Sequence, residues 1–80
     1  MTFSAYRTLP LPEQCRLLHQ HGRLLATRRE GGVRQELYDL RGFWVEAWHW
    51  ADDGSVGLIH SFADAGSLDV WLEGIRLENA

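Results

Sequence analysis

The stretch from Leu37 to Phe62 constrains this chain more than any other. Phe43-Trp44-Val45-Glu46-Ala47-Trp48-His49-Trp50 is dense in aromatic and β-branched residues, the types that fit a pleated, half-buried surface. Asp52-Asp53-Gly54-Ser55 follows, and Val56 to Phe62 returns as the next apolar run. Asp-Gly between such runs signals a hairpin, because a type I′ turn needs positive φ at both central residues. Arg41-Gly42 is a weaker signal of the same kind, placed after Leu37-Tyr38-Asp39-Leu40. The stretch reads as three antiparallel strands in a meander.

Two-residue turns at Arg41-Gly42 and Asp53-Gly54 set the register by counting. Leu40 then faces Phe43, Tyr38 faces Val45, and Glu36 faces Ala47. Across the second turn Val56 faces Ala51, Leu58 faces His49, His60 faces Ala47, and Phe62 faces Val45. Alternation places Tyr38, Leu40, Phe43, Val45, Ala47, Val56, Leu58 and Phe62 on one face. Val33, Leu37, Trp44, Trp48, Trp50 and Ile59 fall on the other, around Gln35 and Glu46. Both faces are largely apolar. One can carry helices; the second needs its own explanation, since antiparallel sheets often leave one face wet.

The flanks supply the helices. Met1 to Leu9 reads as a loose N-terminal arm. Pro10 and Pro12 mark a helix start, since proline suits a first helical turn. From Leu11 to about Arg29, Leu11, Cys15, Leu18, Gly22 and Leu25 form one stripe, the mark of an amphipathic helix. Gly31-Gly32 stops it. Beyond the sheet, Ser67 or Asp64 can cap a second helix, with Leu68, Trp71, Leu72 and Ile75 on its apolar face and an end near Leu77. Glu78 to Ala80 then fray. The expected architecture is α+β: an N-terminal helix, a three-stranded antiparallel meander sheet and a short C-terminal helix, with the helices on one face. Residues 1–80 form one compact domain in this reading. Eighty residues is near the lower limit for a self-sufficient core, and small domains often gain stability by oligomerising.

The pattern resembles a family of small bacterial α-β-β-β-α proteins with no established function. The resemblance rests on Leu37-Tyr38-Asp39-Leu40-Arg41-Gly42-Phe43-Trp44-Val45-Glu46-Ala47-Trp48. Gly22-Arg23-Leu24-Leu25-Ala26-Thr27-Arg28 upstream and Leu68-Asp69-Val70-Trp71-Leu72-Glu73-Gly74-Ile75 downstream extend it. Ala47 departs from it, standing where a larger β-branched residue is expected. The resemblance implies the architecture and assigns no catalytic residue.

Composition narrows the chemistry. Net charge is −3, so there is no general basic footprint for nucleic acid. All eight basic residues are arginine, which removes lysine Schiff-base chemistry and the P-loop lysine. A single cysteine makes no internal disulfide, and neither a signal peptide nor a long apolar run is seen. The expected setting is the reducing cytoplasm, with no membrane contact.

No catalytic or metal constellation emerges. His49 and His60 fall diagonally on one face in the counted register, but zinc needs three or four ligands. His19 and His21 point to different sides of a helix. Cys15 sits in the apolar stripe as a small core residue, and Asp52-Asp53-Gly54 is turn chemistry rather than a calcium loop. Glu46 stands between Trp44 and Trp48. A carboxylate among apolar groups can act as an acid or base, or pair with Arg34 or Arg41. Alone it does not make an active site.

The tryptophans carry the rest. Aromatic residues are enriched at protein interfaces, and a large exposed apolar patch marks a partner site. A base-stacking platform would come with a positive groove, and here Glu46, Asp39 and Glu36 lie nearby. The sequence therefore points to a non-enzymatic interaction module without cofactor or metal. It self-associates as a homodimer, or meets another protein, through Val33, Leu37, Trp44, Glu46, Trp48, Trp50 and Ile59. Two alternatives stand beside it: a small-molecule ligand or weak enzymatic site against the tryptophans, and an acidic inhibitor or regulator of another protein.

Overall fold

The computed structural model describes residues 1–50 and 52–71. The order of elements is α1 (Phe3–Arg7), α2 (Leu11–His21), β1 (Arg23–Glu30), β2 (Val33–Asp39), β3 (Trp44–Trp50) and β4 (Val56–Phe62). Residues 65–71 are helical. The four strands form one antiparallel sheet in the order β1-β2-β3-β4. The architecture is α+β, with four strands where three were expected. The rest of the expected last helix, including Leu72, Ile75 and Leu77, and the fraying of Glu78 to Ala80 lie outside the described residues, as does Ala51.

The additional strand comes from the chain expected to extend the first helix. That helix ends at His21, with the Gly22 N–H donating to the Leu18 carbonyl. Gly22 turns extended, and Arg23–Glu30 pairs with β2, Thr27 opposite Glu36 and Arg28 opposite Gln35. Pairing a whole ladder overrides the weak helix preference of Leu24-Leu25-Ala26. Gly31-Gly32 is then a hairpin turn, with Gly31 at φ 62°. Residues 1–9 also differ from the expected loose arm. Thr2 Oγ1 accepts from the Ala5 N–H at 3.1 Å and caps α1. Tyr6 is wholly buried; its hydroxyl donates to the Gln14 carbonyl at 2.9 Å and its own carbonyl accepts from Gln14 Nε2 at 3.0 Å.

The β2–β3 turn is the one expected. Arg41 and Gly42 both have positive φ, 60° and 112°, and the Leu40 N–H reaches the Phe43 carbonyl at 3.0 Å. Tyr38 faces Val45 and Glu36 faces Ala47. The β3–β4 register is different. Trp50 N–H donates to the Ser55 carbonyl and Gly54 N–H to the Trp50 carbonyl, so the loop is longer than two residues. His49 faces Val56, a bulge follows, and beyond it Trp48 faces Leu58, Ala47 faces Ile59, Glu46 faces His60 and Trp44 faces Phe62. Gly57 is the extra residue. A longer loop alone keeps the side-chain parity; the bulge reverses it. Leu58, His60 and Phe62 therefore share the tryptophan face, and Ile59 lies on the other.

The helices cover both faces. On one, α1 and α2 bury Tyr6 and Leu18 against Phe43, Val45 and Ala47, with Tyr38 and Ile59 at the margin. Phe43 takes the rings of Phe3 and Tyr6 at 5.7 and 5.5 Å. On the other, Trp71 and Leu68 of the 65–71 helix pack with Leu37, Phe62, Trp44 and Ala26. The expectation of helices on a single face is thus corrected. Of the two residues able to cap the last helix, Asp64 does so: its carboxylate accepts from the Ser67 N–H at 2.8 Å. That bond, with a second from the Ser67 hydroxyl, lowers its pKa. No helix among the described residues is long and apolar enough to cross a membrane.

Candidate functional site

The seven residues expected to form one aromatic face divide into three groups. Leu37 is wholly buried beneath Trp71, and Trp44, half-buried, stacks on Phe62 at 5.9 Å against the same core. Ile59 is on the opposite face, half-buried beside Ala47. Val33, Glu46, Trp48 and Trp50 remain on the expected face. Val33 stands opposite Trp50, and Trp48 lies between Gln35 and Leu58. Leu58 joins them from β4. Trp50 and Leu58 are about half exposed, at 53% and 48%. They form an apolar strip at the end of the sheet that the 65–71 helix does not share.

Polar groups are anchored along this face. Trp48 Nε1 donates to Glu46 Oε1, and His60 stands directly opposite Glu46 while its ring stacks on Phe62 at 5.8 Å. Arg28 Nε donates to Gln35 Oε1, and the guanidinium lies 4.5 Å from the Trp71 ring centre. Glu46 is therefore held by an indole N–H, not by Arg34 or Arg41.

The two outer strands differ sharply. Both have a bulge, β1 between Leu24 and Ala26 and β4 at Gly57, but β1 also carries Arg23, Arg28, Arg29 and Glu30. Charge along an outer strand is a device that keeps an edge from pairing with another chain. β4, Val-Gly-Leu-Ile-His-Ser-Phe, has no Asp, Glu, Lys or Arg, and its outer edge pairs with no strand among the described residues.

The face covered by α1 and α2 holds a second polar group. Arg29, Arg34 and His49 stand in one cross-strand row, each directly opposite the next. Glu36 lies beside them. Its Oε1 accepts from the Tyr38 hydroxyl at 2.9 Å and lies 2.8 Å from His49 Nε2; its Oε2 is 3.5 Å from Arg34 Nε. The His49 contact is close but not aligned as a hydrogen bond. His49 Nδ1 lies 3.2 Å from the Gly54 carbonyl. Burial, then the hydrogen bond to Glu36 and its charge, push the Tyr38 phenol up to about 12. The counted β2–β3 register sets Arg34 against His49, but the helical stripe that runs on to about Arg29 hides the third member of the row.

His49 and His60 are on opposite faces, so the diagonal pair does not exist. Cys15 is half-buried on α2, and burial raises its thiol pKa, which disfavours the nucleophilic thiolate. No group of three or more His, Cys, Asp or Glu among the described residues is placed to hold a metal. Comparison of the chain with protein-family models, curated proteins and solved structures gave no match.

Proposed function

We propose that this chain is a non-enzymatic interaction module that self-associates through the outer edge of β4 and the Trp50–Leu58 strip beside it. One observation carries the reading: the sheet lines one edge with charge and leaves the other uncharged. An open edge offers unpaired backbone groups that an added strand satisfies, with flanking side chains setting the register. A second copy fits that edge. Antiparallel pairing of two β4 strands about a two-fold axis at Ile59 sets Leu58 against His60, both on the tryptophan face. The interface is then isologous, with like surface meeting like. Trp48, Trp50 and Leu58 of each copy border the new ladder and add apolar burial, worth about 25 cal/mol per Å² less the ordering cost of association.

Sedimentation equilibrium tests this over a wide concentration range. The expected mass is twice the 9.2 kDa of one chain. Leu58→Lys, on the open edge, lowers it to the monomer, and Leu24→Lys, on the protected edge, leaves the dimer intact. A wild type that is monomeric throughout overturns the proposal, as does a Leu58→Lys protein that keeps the dimer mass.

A further inference from the structure

We infer that the cleft between the two hairpin loops is a binding site for a small oxyanion of the phosphate class. The β1–β2 and β3–β4 turns lie at the same end of the sheet, because β2 begins where β3 ends, Val33 opposite Trp50. Between them is a cleft of about 180 Å³. Gly31 of one loop and Gly54 of the other form its rim, Arg29, Arg34 and His49 line it, and Trp50 closes a wall. It is smaller than the pockets that take drug-sized ligands, and suits an ion or a headgroup.

The charges in the cleft are not balanced by the fold. Arg29 and Arg34 are directly opposite on neighbouring strands, an arrangement that destabilises a sheet when both side chains carry the same charge. Glu36 is the acidic group in contact, and its two oxygens are already engaged by Tyr38, His49 and Arg34. Arg29 has no ion-pair partner among the described residues. Arg34 Nε is buried without a hydrogen bond. Two arginines thus line one cleft, Arg34 beside a carboxylate and Arg29 with none, and donor capacity is left unused.

Guanidinium presents paired N–H groups that match the oxygens of phosphate and carboxylate. A dianion answers two arginines better than a monoanion does, which favours phosphate over carboxylate. In this site the oxyanion bridges Arg29 and Arg34 and removes their repulsion. Glu36 holds Arg34 and His49 from beneath, so it positions the site and does not contact the ligand. The cleft shares Trp50 with the strip beside β4, but its arginines and glycines lie at the loop end and not along the outer edge of β4, so the inference does not rest on self-association.

The test is a titration of the full chain with inorganic phosphate at constant ionic strength, followed by NMR of backbone amides and arginine Nε–H groups. Saturable shifts are expected at Gly31, Gly54 and the Nε–H signals of Arg29 and Arg34, with weaker effects from acetate. Arg29→Gln replaces an exposed side chain, so the fold is retained, and phosphate affinity falls about tenfold or more, the loss of a hydrogen bond to a charged group. Shifts that grow linearly without saturating, saturable shifts confined to other residues, or an Arg29→Gln protein that binds as the wild type would each overturn the inference. Equal affinity for acetate would overturn the phosphate assignment.

Discussion

Trp71 closes over Leu37, and the contact joins the last described helix to the middle of the sheet. Trp71 is 4% exposed and Leu37 wholly buried, and between them they convert the aromatic face from a surface into a second core. Trp71→Ala should cost about 3–5 kcal/mol, the range for truncating a buried aromatic. A domain of this length has a total stability of roughly 4–12 kcal/mol, so the variant should lose about a quarter of it or more. Urea unfolding followed by circular dichroism gives the value. A loss below 1 kcal/mol would mean that the helix does not hold this face.

Two glycines make a matched pair. A Cβ at Gly22 would come within 2.7 Å of the Leu18 carbonyl oxygen and 3.1 Å of the Tyr38 ring. The backbone there cannot give way, so Gly22→Ala should destabilise by about 1–3 kcal/mol. A Cβ at Gly57 would come within 2.6 Å of the Trp50 indole. That ring is half exposed and can swing aside, so Gly57→Ala should cost less than Gly22→Ala and shift the Trp50 indole N–H resonance. Thermal unfolding and one proton–nitrogen spectrum of each variant check the contrast.

Alkaline pH should unfold the protein through its buried phenols. Tyr38 titrates near 12 in the folded chain, against about 10 when unfolded. Burial, with a smaller effect of Cys15, raises Tyr6 as well. Each phenol holds its proton more tightly when folded. The stabilising contribution is therefore complete below about pH 10 and falls as pH rises through about 12. Unfolding free energy measured between pH 9 and 12 should decline, and Tyr38→Phe should flatten the decline. A flat wild-type profile across that window would contradict the assigned burial.

The neutral-to-acid side has the opposite sign. Hydrogen bonds from Ser67 to Asp64 and from Ser55 to Asp53 hold both carboxyls below the usual range. Their contribution is present above about pH 4 and is lost as pH falls through the lowered values. Asp64→Ala should remove part of the acid sensitivity and loosen the start of the 65–71 helix, read as faster amide exchange at Ser67.

The central hairpin was legible because its signals are local. Arg41-Gly42 supplies two residues with positive φ, and the pairing of Tyr38 with Val45 follows by counting. β1 was not legible from the same kind of reasoning. Leu18, Gly22 and Leu25 continue a helical stripe, and only the availability of β2 as a partner turns the chain after His21 into a strand. The tryptophan face was half legible. Its β3 members alternate as counted, but one glycine, Gly57, inserts a bulge and exchanges Ile59 for Leu58. A lone glycine within a strand pattern is a recognised sign of a bulge, and here it decides which side chains border the open edge. The cover supplied by Trp71 depends on how the chain returns after Phe62, which no spacing within the sheet encodes.

The most direct measurement is an isotope-filtered NOE experiment on an equal mixture of labelled and unlabelled chains. It reports only contacts between different molecules. Self-association through β4 predicts intermolecular α-proton contacts within the segment Val56 to Phe62, centred on Ile59, with Trp50 and Leu58 side chains alongside. Intermolecular contacts that arise from β1 instead, or none at concentrations that saturate the sedimentation mass, would contradict it.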